Sequence, residues 1–269
     1  MLAPDLPPGT GPEREVPAYT ADVFSARTSQ YVVLVFVINE GEKIRSQIVQ
    51  MHGDEAGVDV VVADGGSTDG ALALEFLRQN GVTALLTKTG PGKLSAQMRM
   101  GLAFAMDEGY DGVIVVDGNG KDDLRALPDF IRLLDEGYDH VQGSRFIPGG
   151  RAVNTPLSRL VGVRMLHAPL ISLASRRRHT DTTNGFRAYS ARLILDPTIA
   201  VFRSIFVTYE LHYHLAIESS RASRFRTTET PVTRTYPITG KVPTKITPIR
   251  GNSHVLAVLF RAVVGRYRH

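Results

Sequence analysis

Between Tyr31 and Gln142 the chain alternates short β-branched apolar runs with longer segments patterned at helical spacing. The runs are Tyr31–Ile38, Val58–Ala63, Thr83–Leu86, Gly112–Val116 and His140–Gln142. They are too short for helices, and the longest carry no polar face, which predicts strands buried on both sides. Glu42–Met51, Gly70–Asn80, Leu94–Asp107 and Leu124–Leu134 have helical spacing, and Gly81 closes the second of them. Alternation of this kind specifies βαβ units and a Rossmann-like α/β fold, its sheet mostly parallel with helices on both faces. A doubly covered sheet needs a large core, which 269 residues at 43% hydrophobic can supply. With no cysteine in the chain, disulfide scaffolds and thiolate zinc sites are excluded. No uninterrupted apolar run reaches the roughly 18–20 residues that span a bilayer, and the N-terminus does not read as a signal peptide. The expectation is a cytoplasmic protein, at most peripheral on the cytoplasmic membrane face.

Three regions follow. Residues 1–29 form a proline-rich arm, with Pro4, Pro7, Pro8, Pro12 and Pro17, expected to be extended or partly disordered on the surface. Residues 30–150 carry the alternation. Residues 151–269 break it, with predicted helices over Leu157–Ala174, Ile205–Ile217 and Val255–Val264 and a strand over Phe225–Val232. Charge divides similarly. Residues 1–139 hold 11 Lys and Arg against 22 Asp and Glu, whereas residues 140–269 hold 20 against 5. Either the basic half faces an anionic partner, or the two halves neutralise one another within one domain.

In an open parallel sheet ligands bind beyond the carboxyl ends of the strands, so the residues following each strand are the candidates. Asn39-Glu40 follows the first strand. Asp64-Gly65-Gly66-Ser67-Thr68-Asp69 follows the second; Asp64 could accept from a base or ribose hydroxyl, or the segment could be only a turn and helix cap. Gly92-Lys93, with Arg99 in the next helix, follows the third, but lacks phosphate-loop spacing. No G-x-G-x-x-G opens a helix after the first strand, which disfavours a dinucleotide site. Asp117-Gly118-Asn119 follows the fourth, and oxygen donors two apart suit a hard divalent cation. Asp122 and Asp123 read as caps of the next helix. Gly143-Ser144-Arg145-Phe146 follows the fifth, and Asp181 and Arg187 lie in a turn-rich segment where they could simply pair.

In this order the segments resemble the family 2 glycosyltransferases of the GT-A fold, within them the dolichyl- or polyprenyl-phosphate sugar synthase-like branch. The resemblance runs from about Val32 to Pro231. Asp64–Asp69 is similar to the family's Asp-Asp-Gly-Ser-x-Asp segment with Gly65 for the second aspartate, and Gly92-Lys93 with Arg99 to its Gly-Lys-Gly-x-x-x-x-Arg helix start. Asp117-Gly118-Asn119 stands where it carries Asp-x-Asp, with an amide replacing one carboxylate, so that either Asn119, or Asp122 or water in its stead, would complete a metal site. Gly143–Phe146 and Asn184-Gly185-Phe186-Arg187 resemble its Gly-Ser-Arg-Tyr and Ser-Gly-Phe-Arg segments. The membrane-spanning tail of some relatives is absent from the sequence.

What the resemblance implies is sugar transfer from a nucleotide-sugar, UDP-linked in the first instance, by inversion. Asp117 and Asn119 would hold Mg2+ or Mn2+, with Gly118 beside them. Val37, Asn39, Glu40, Asp64 and Gly66 would bind the nucleoside. Lys93, Arg99, Arg145 and Arg187 would serve the diphosphate and sugar. Asp181 would be the general base for an acceptor hydroxyl, or would orient Arg187 if the acceptor is already a phosphate. The acceptor would be a polyprenyl phosphate, a glycan or a small metabolite. Arg176-Arg177-Arg178-His179 could touch phosphate headgroups, and Val255–Val264 could lie on a membrane or pack on the core. Two other classes compete. A nucleotidyltransferase would carry a glycine-rich, arginine-bearing loop after the first strand, where this chain has the acidic Asn39-Glu40-Gly41-Glu42. A nucleic-acid binder is disfavoured by the acidic first half and the lack of tryptophan, so no nucleic-acid partner is expected.

Overall fold

The computed structural model describes residues 14–53, 57–238 and 250–268. The first thirteen residues of the proline-rich arm lie outside them. Among the described residues ten strands form: β1 (Tyr19–Val23), β2 (Tyr31–Val37), β3 (Asp59–Asp64), β4 (Ala84–Lys88), β5 (Gly112–Asp117), β6 (His140–Ser144), β7 (Arg151–Val153), β8 (Arg187–Ser190), β9 (Thr227–Pro231) and β10 (Thr233–Thr235). The helices are α1 (Glu42–Gly53), α2 (Leu74–Gln79), α3 (Leu94–Asp107), α4 (Leu127–Asp135), α5 (Leu157–Gly162), α6 (Ala168–Ser175), α7 (Ala191–Ile194), α8 (Glu210–Arg221) and α9 (Arg250–Val263).

Eight strands make one sheet in the order β1-β4-β3-β2-β5-β8-β6-β9, and β10-β7 make a small second one. The centre, β4-β3-β2-β5, is parallel. Because the chain runs outward from β2 through β3 to β4 and then returns to place β5 on the other side of β2, the strand order reverses between β2 and β5. Side chains of β2 alternate between two cores: Val32, Leu34 and Phe36 face the layer of α3, α6, α8 and α9. Val33, Val35 and Val37 face the layer of α1, α2 and α4. Full burial of each such residue is worth about 1.5–3 kcal/mol relative to exposure. On α3, a Cβ at Gly101 would stand 2.9 Å from Leu34 Cδ1, so the missing side chain lets helix and sheet approach.

The sheet is less parallel than the alternation predicts. β8 runs antiparallel to both β5 and β6, and β1 runs antiparallel to β4. β1 lies within the region expected to be a surface arm, and four of its five residues are exposed, so no buried face marks it in the sequence. Two helices start late. Residues 69–73 are held in turns by Asp69, whose carboxylate accepts from Gly41 N–H (2.8 Å) and Ala71 N–H (3.1 Å). α8 begins at Glu210 rather than Ile205, because the Glu210 carboxylate accepts the N–H groups of Val207 (2.9 Å) and Thr208. α5 and α6 join through a π-helical turn, Val163–His167, into one continuous helix, Leu157–Ser175. By length and composition alone this helix is apolar enough to cross a membrane, which the interrupted sequence run does not indicate; it packs along α8.

Candidate active site

The reversal between β2 and β5 places two carboxylates at one end of the sheet. Val37 of β2 pairs with Asp64 of β3, and Phe36 pairs with Asp117 of β5. Asp64 and Asp117 therefore flank β2 one residue apart in register, about 10 Å apart across two strand spacings. A nucleoside and its diphosphate can bridge such a distance.

On the β3 side, Asp64 is buried and closes its own turn. Ser67 donates N–H to both carboxylate oxygens (3.0 and 2.9 Å) and Oγ–H to Oδ1 (2.6 Å). Asn39, in the left-handed region at φ 48°, donates N–H to Ser67 Oγ (2.9 Å), and its Oδ1 accepts from Thr68 N–H (2.8 Å). The loops after β2 and β3 are thus tied together beneath exposed Gly66. Gln97 of α3 donates to the Val37 carbonyl (2.9 Å) and to that of Ala63, pinning both strand ends.

On the β5 side, the Asp117 side chain keeps 29% exposure. Arg234 of β10 donates to Asp117 Oδ2 (3.0 Å), and its other terminal nitrogen donates to Asp122. Burial works to raise the Asp117 carboxyl, but Arg234, with smaller help from Lys121, holds it below its usual range. Burial also works against the Arg234 cation, yet Asp122 and Asp117 keep it firmly charged. Asn119 Nδ2 donates to Asp117 Oδ2 (3.3 Å), while its Oδ1 accepts from Lys121 N–H (3.2 Å). Gly185 closes over the same carboxylate: a Cβ there would lie 2.9 Å from Asp117 Oδ1. The start of α8 brings Tyr209 and His212 within electrostatic reach of Asp117.

Behind this tip, Arg145 and Asp181 form a two-pronged ion pair, Nε–Oδ2 2.6 Å and Nη2–Oδ1 2.9 Å, with side chains 1% and 0% exposed. Glu229 of β9 fixes the loop by accepting from Thr180 N–H (2.8 Å) and Oγ1–H (2.7 Å).

No protein-family model matches the chain. It is 28% identical over 229 residues to the glycosyltransferase AglJ of Haloferax volcanii, covering 85% of this chain and 70% of that protein. Polyprenol monophosphomannose synthase of Mycolicibacterium smegmatis matches at 29% over 62% of this chain and 64% of its own length. Undecaprenyl-phosphate mannosyltransferase of Micrococcus luteus matches at 28%, over 60% and 66%. The chain thus spans about two thirds of the length of these relatives. Glucosyl-3-phosphoglycerate synthase of Mycobacterium tuberculosis, solved with Mn2+, UDP and phosphoglyceric acid, superposes with a TM-score of 0.57 at 19% identity, covering 88% of this chain and 76% of that one. The chain is thus similar in sequence to proteins named as glycosyltransferases, and it shares the fold of a solved glucosyl-3-phosphoglycerate synthase.

The expected site residues divide. Val37, Asn39, Glu40, Asp64, Gly66, Asp117, Gly118 and Asn119 all lie on β2, β3, β5 or the loops directly after them. Lys93 caps α3 and is exposed, its N–H donating to the Val207 carbonyl (2.9 Å) just before α8. Three expected cations are engaged elsewhere. Arg99 donates to the Glu15 carbonyl of the arm, and Arg145 is held by Asp181. Arg187 does not pair with Asp181; it donates to the carbonyls of Asn184 (2.9 Å), His212 (3.0 Å) and Thr182 (2.9 Å), sewing the 182–187 loop to α8. Asp181, expected as a base, has both oxygens committed to Arg145 and is better placed to position that cation. Of the two expected caps only Asp123 acts as one, accepting from Arg125 N–H (3.1 Å); Asp122 is turned inward to Arg234. Arg234, Tyr209 and His212 were not singled out in the sequence. Arg234 carried a faint signal as an isolated arginine in an otherwise uncharged stretch after β9, but its partner is 117 residues away.

Proposed function

We propose that the protein is a metal-dependent family 2 glycosyltransferase that moves a hexosyl group from a UDP-sugar to an acceptor bearing a phosphate. The observation that carries this is the placement of Asp117 at the strand reversal, closed over by Gly185 and flanked by Arg234. The relatives' names support the acceptor: polyprenyl phosphates in two cases, and phosphoglyceric acid bound in a structural neighbour.

Asp117 supplies the carboxylate that fits Mg2+ or Mn2+ through oxygen, and buried Asp122 Oδ1, which has no hydrogen-bond partner among the described residues, offers further donor capacity. Bound there, the ion would supply Lewis-acid stabilisation of the diphosphate. The C1–O bond to the donor phosphate breaks with its electron pair leaving on the nucleoside diphosphate, and a new C1–O bond forms to the acceptor oxygen. The Asn39–Ser67 loop pair holds the nucleoside over Asp64. A phosphate acceptor is already an anion and needs no base, which agrees with Asp181 being committed to Arg145.

A lipid-phosphate acceptor places the protein at a membrane surface. Along Leu157–Ser175, Leu157, Val161, Met165, Pro169 and Leu173 recur every four residues and are all exposed, followed by exposed Arg176, Arg177 and Arg178. An apolar stripe ending in arginines suits the interface of an anionic membrane. The deciding experiment is product analysis with UDP-sugar and undecaprenyl phosphate or phosphoglycerate. Release of UDP supports sugar transfer; release of pyrophosphate from a nucleoside triphosphate and sugar phosphate would instead indicate nucleotidyl transfer.

A further inference from the structure

Asn119 is the weak point of the metal site, because it brings no charge and its Oδ1 already accepts from Lys121 N–H (3.2 Å). A second carboxylate lies close by. Asp122 is fully buried at its side chain, and one guanidinium spans it and Asp117: Arg234 Nη1 on Asp122 Oδ2, Nη2 on Asp117 Oδ2. Two carboxylates on one planar fork stand within a few ångströms of each other. The fork satisfies only one oxygen of Asp122; Oδ1 is buried with no hydrogen-bond partner among the described residues. An unpartnered carboxylate oxygen in a dry site is costly, and hard cations satisfy such oxygens. The β10 strand that carries Arg234 pairs with the short β7 and bridges the loop that carries Asp122, with Asp123 N–H donating to the Thr233 carbonyl (3.0 Å) and Thr235 N–H to the Lys121 carbonyl (2.8 Å), so it is the Arg234 side chain rather than its strand that can give way.

We infer that Asp117 and Asp122, rather than Asp117 and Asn119, are the carboxylate pair that takes the divalent cation, and that Arg234 is its internal counter-ion, displaced when the cation enters. This rests on the proposed metal-dependent transfer and deepens it. Arg234 and the cation compete for the same two carboxylates, so the two partners of one ion pair have opposite effects on metal affinity. A purely structural ion pair would not do that: losing either partner would loosen the site, and both changes would weaken binding.

The test is titration of Mn2+ alone into the wild-type chain, Asp122→Asn and Arg234→Met, followed by calorimetry and by the loss of the free Mn2+ paramagnetic resonance signal. Asp122→Asn is expected to weaken Mn2+ binding by about tenfold or more, and Arg234→Met to strengthen it by about tenfold. Mn2+ affinity unchanged in Asp122→Asn, or weakened by Arg234→Met, overturns the inference. Arg234→Met leaves two buried carboxylates without a cation, so its fold is checked by circular dichroism; if it does not fold, Asp122→Asn decides alone. UDP-sugar with Mn2+ on the wild-type chain judges the functional reading separately. If that mixture binds while Asp122→Asn holds Mn2+ normally, the transferase stands and the Asp122 assignment falls.

Discussion

Gly185 does its work by having no side chain. Its backbone lies against Asp117, and a Cβ would come within 3.2 Å of both carboxylate oxygens and Cγ. Gly185→Ala must therefore push the loop or the carboxylate aside. The expected result is a fall in kcat of about tenfold or more, since misplacement by an ångström is costly in a preorganised site; unchanged steady-state kinetics would remove Gly185 from the site. Asp181 is a different case, because its buried partner Arg145 would remain charged without it. Asp181→Asn should cost about 3–5 kcal/mol of stability, read from the midpoint of a urea titration. A general base would show the reverse pattern, with activity lost and stability kept.

At the scale of elements, the central strands were legible because each is a continuous apolar run, and α3 was legible to the residue because Ala, Met and Leu fill it from Leu94 to Asp107. β8 was not. Its residues are Arg-Ala-Tyr-Ser, and its first side chain is buried only because three backbone carbonyls satisfy it, which no periodicity encodes. The same limit applied to the site. Strand-tip residues such as Asp64 and Asp117 are fixed by local sequence, whereas the pairings Arg145–Asp181 and Arg234–Asp117 depend on contacts across 36 and 117 residues. The helix Leu157–Ser175 was predicted as a helix, but which face it leaves exposed depended on where α8 lies. Its stripe gives an element-level prediction. Met165→Glu with Leu173→Glu, at side chains 75% and 76% exposed, should abolish co-sedimentation with phosphatidylglycerol vesicles at low salt while leaving the melting temperature within about 2 °C. Equal sedimentation of variant and wild type would locate any membrane contact elsewhere.

The whole molecule is built around cations and neutral histidines packed together. His140, His179 and His212 are buried near Arg187, and burial first, then the arginine, pushes each below its ordinary value, His179 to about 4 and His212 to about 3. In the unfolded chain each takes a proton near pH 6.5. Between about pH 6.5 and 4 the unfolded state therefore binds more protons, so stability falls as pH falls, by up to about 1.4 kcal/mol per histidine per pH unit. Asp196, lowered to about 2 against burial by Arg224 and Thr198, adds its own loss of stability below about pH 4. Thermal unfolding followed from pH 7.5 to 4 should show a steep drop through this window, flattened in His179→Gln. A melting temperature constant over that range would contradict the picture of histidines buried neutral.

The central claim, that Asp117 joins a divalent cation to the diphosphate of a nucleotide-sugar, is tested most directly by melting the wild-type chain and Asp117→Ala with UDP-glucose, each with and without Mn2+. A ligand that binds only the folded state raises its melting temperature. The account predicts a rise in the wild type that requires both Mn2+ and UDP-glucose and disappears in Asp117→Ala, with the unliganded proteins melting within a few degrees of each other. A rise of equal size in Asp117→Ala, or one in the wild type that does not depend on Mn2+, would contradict it.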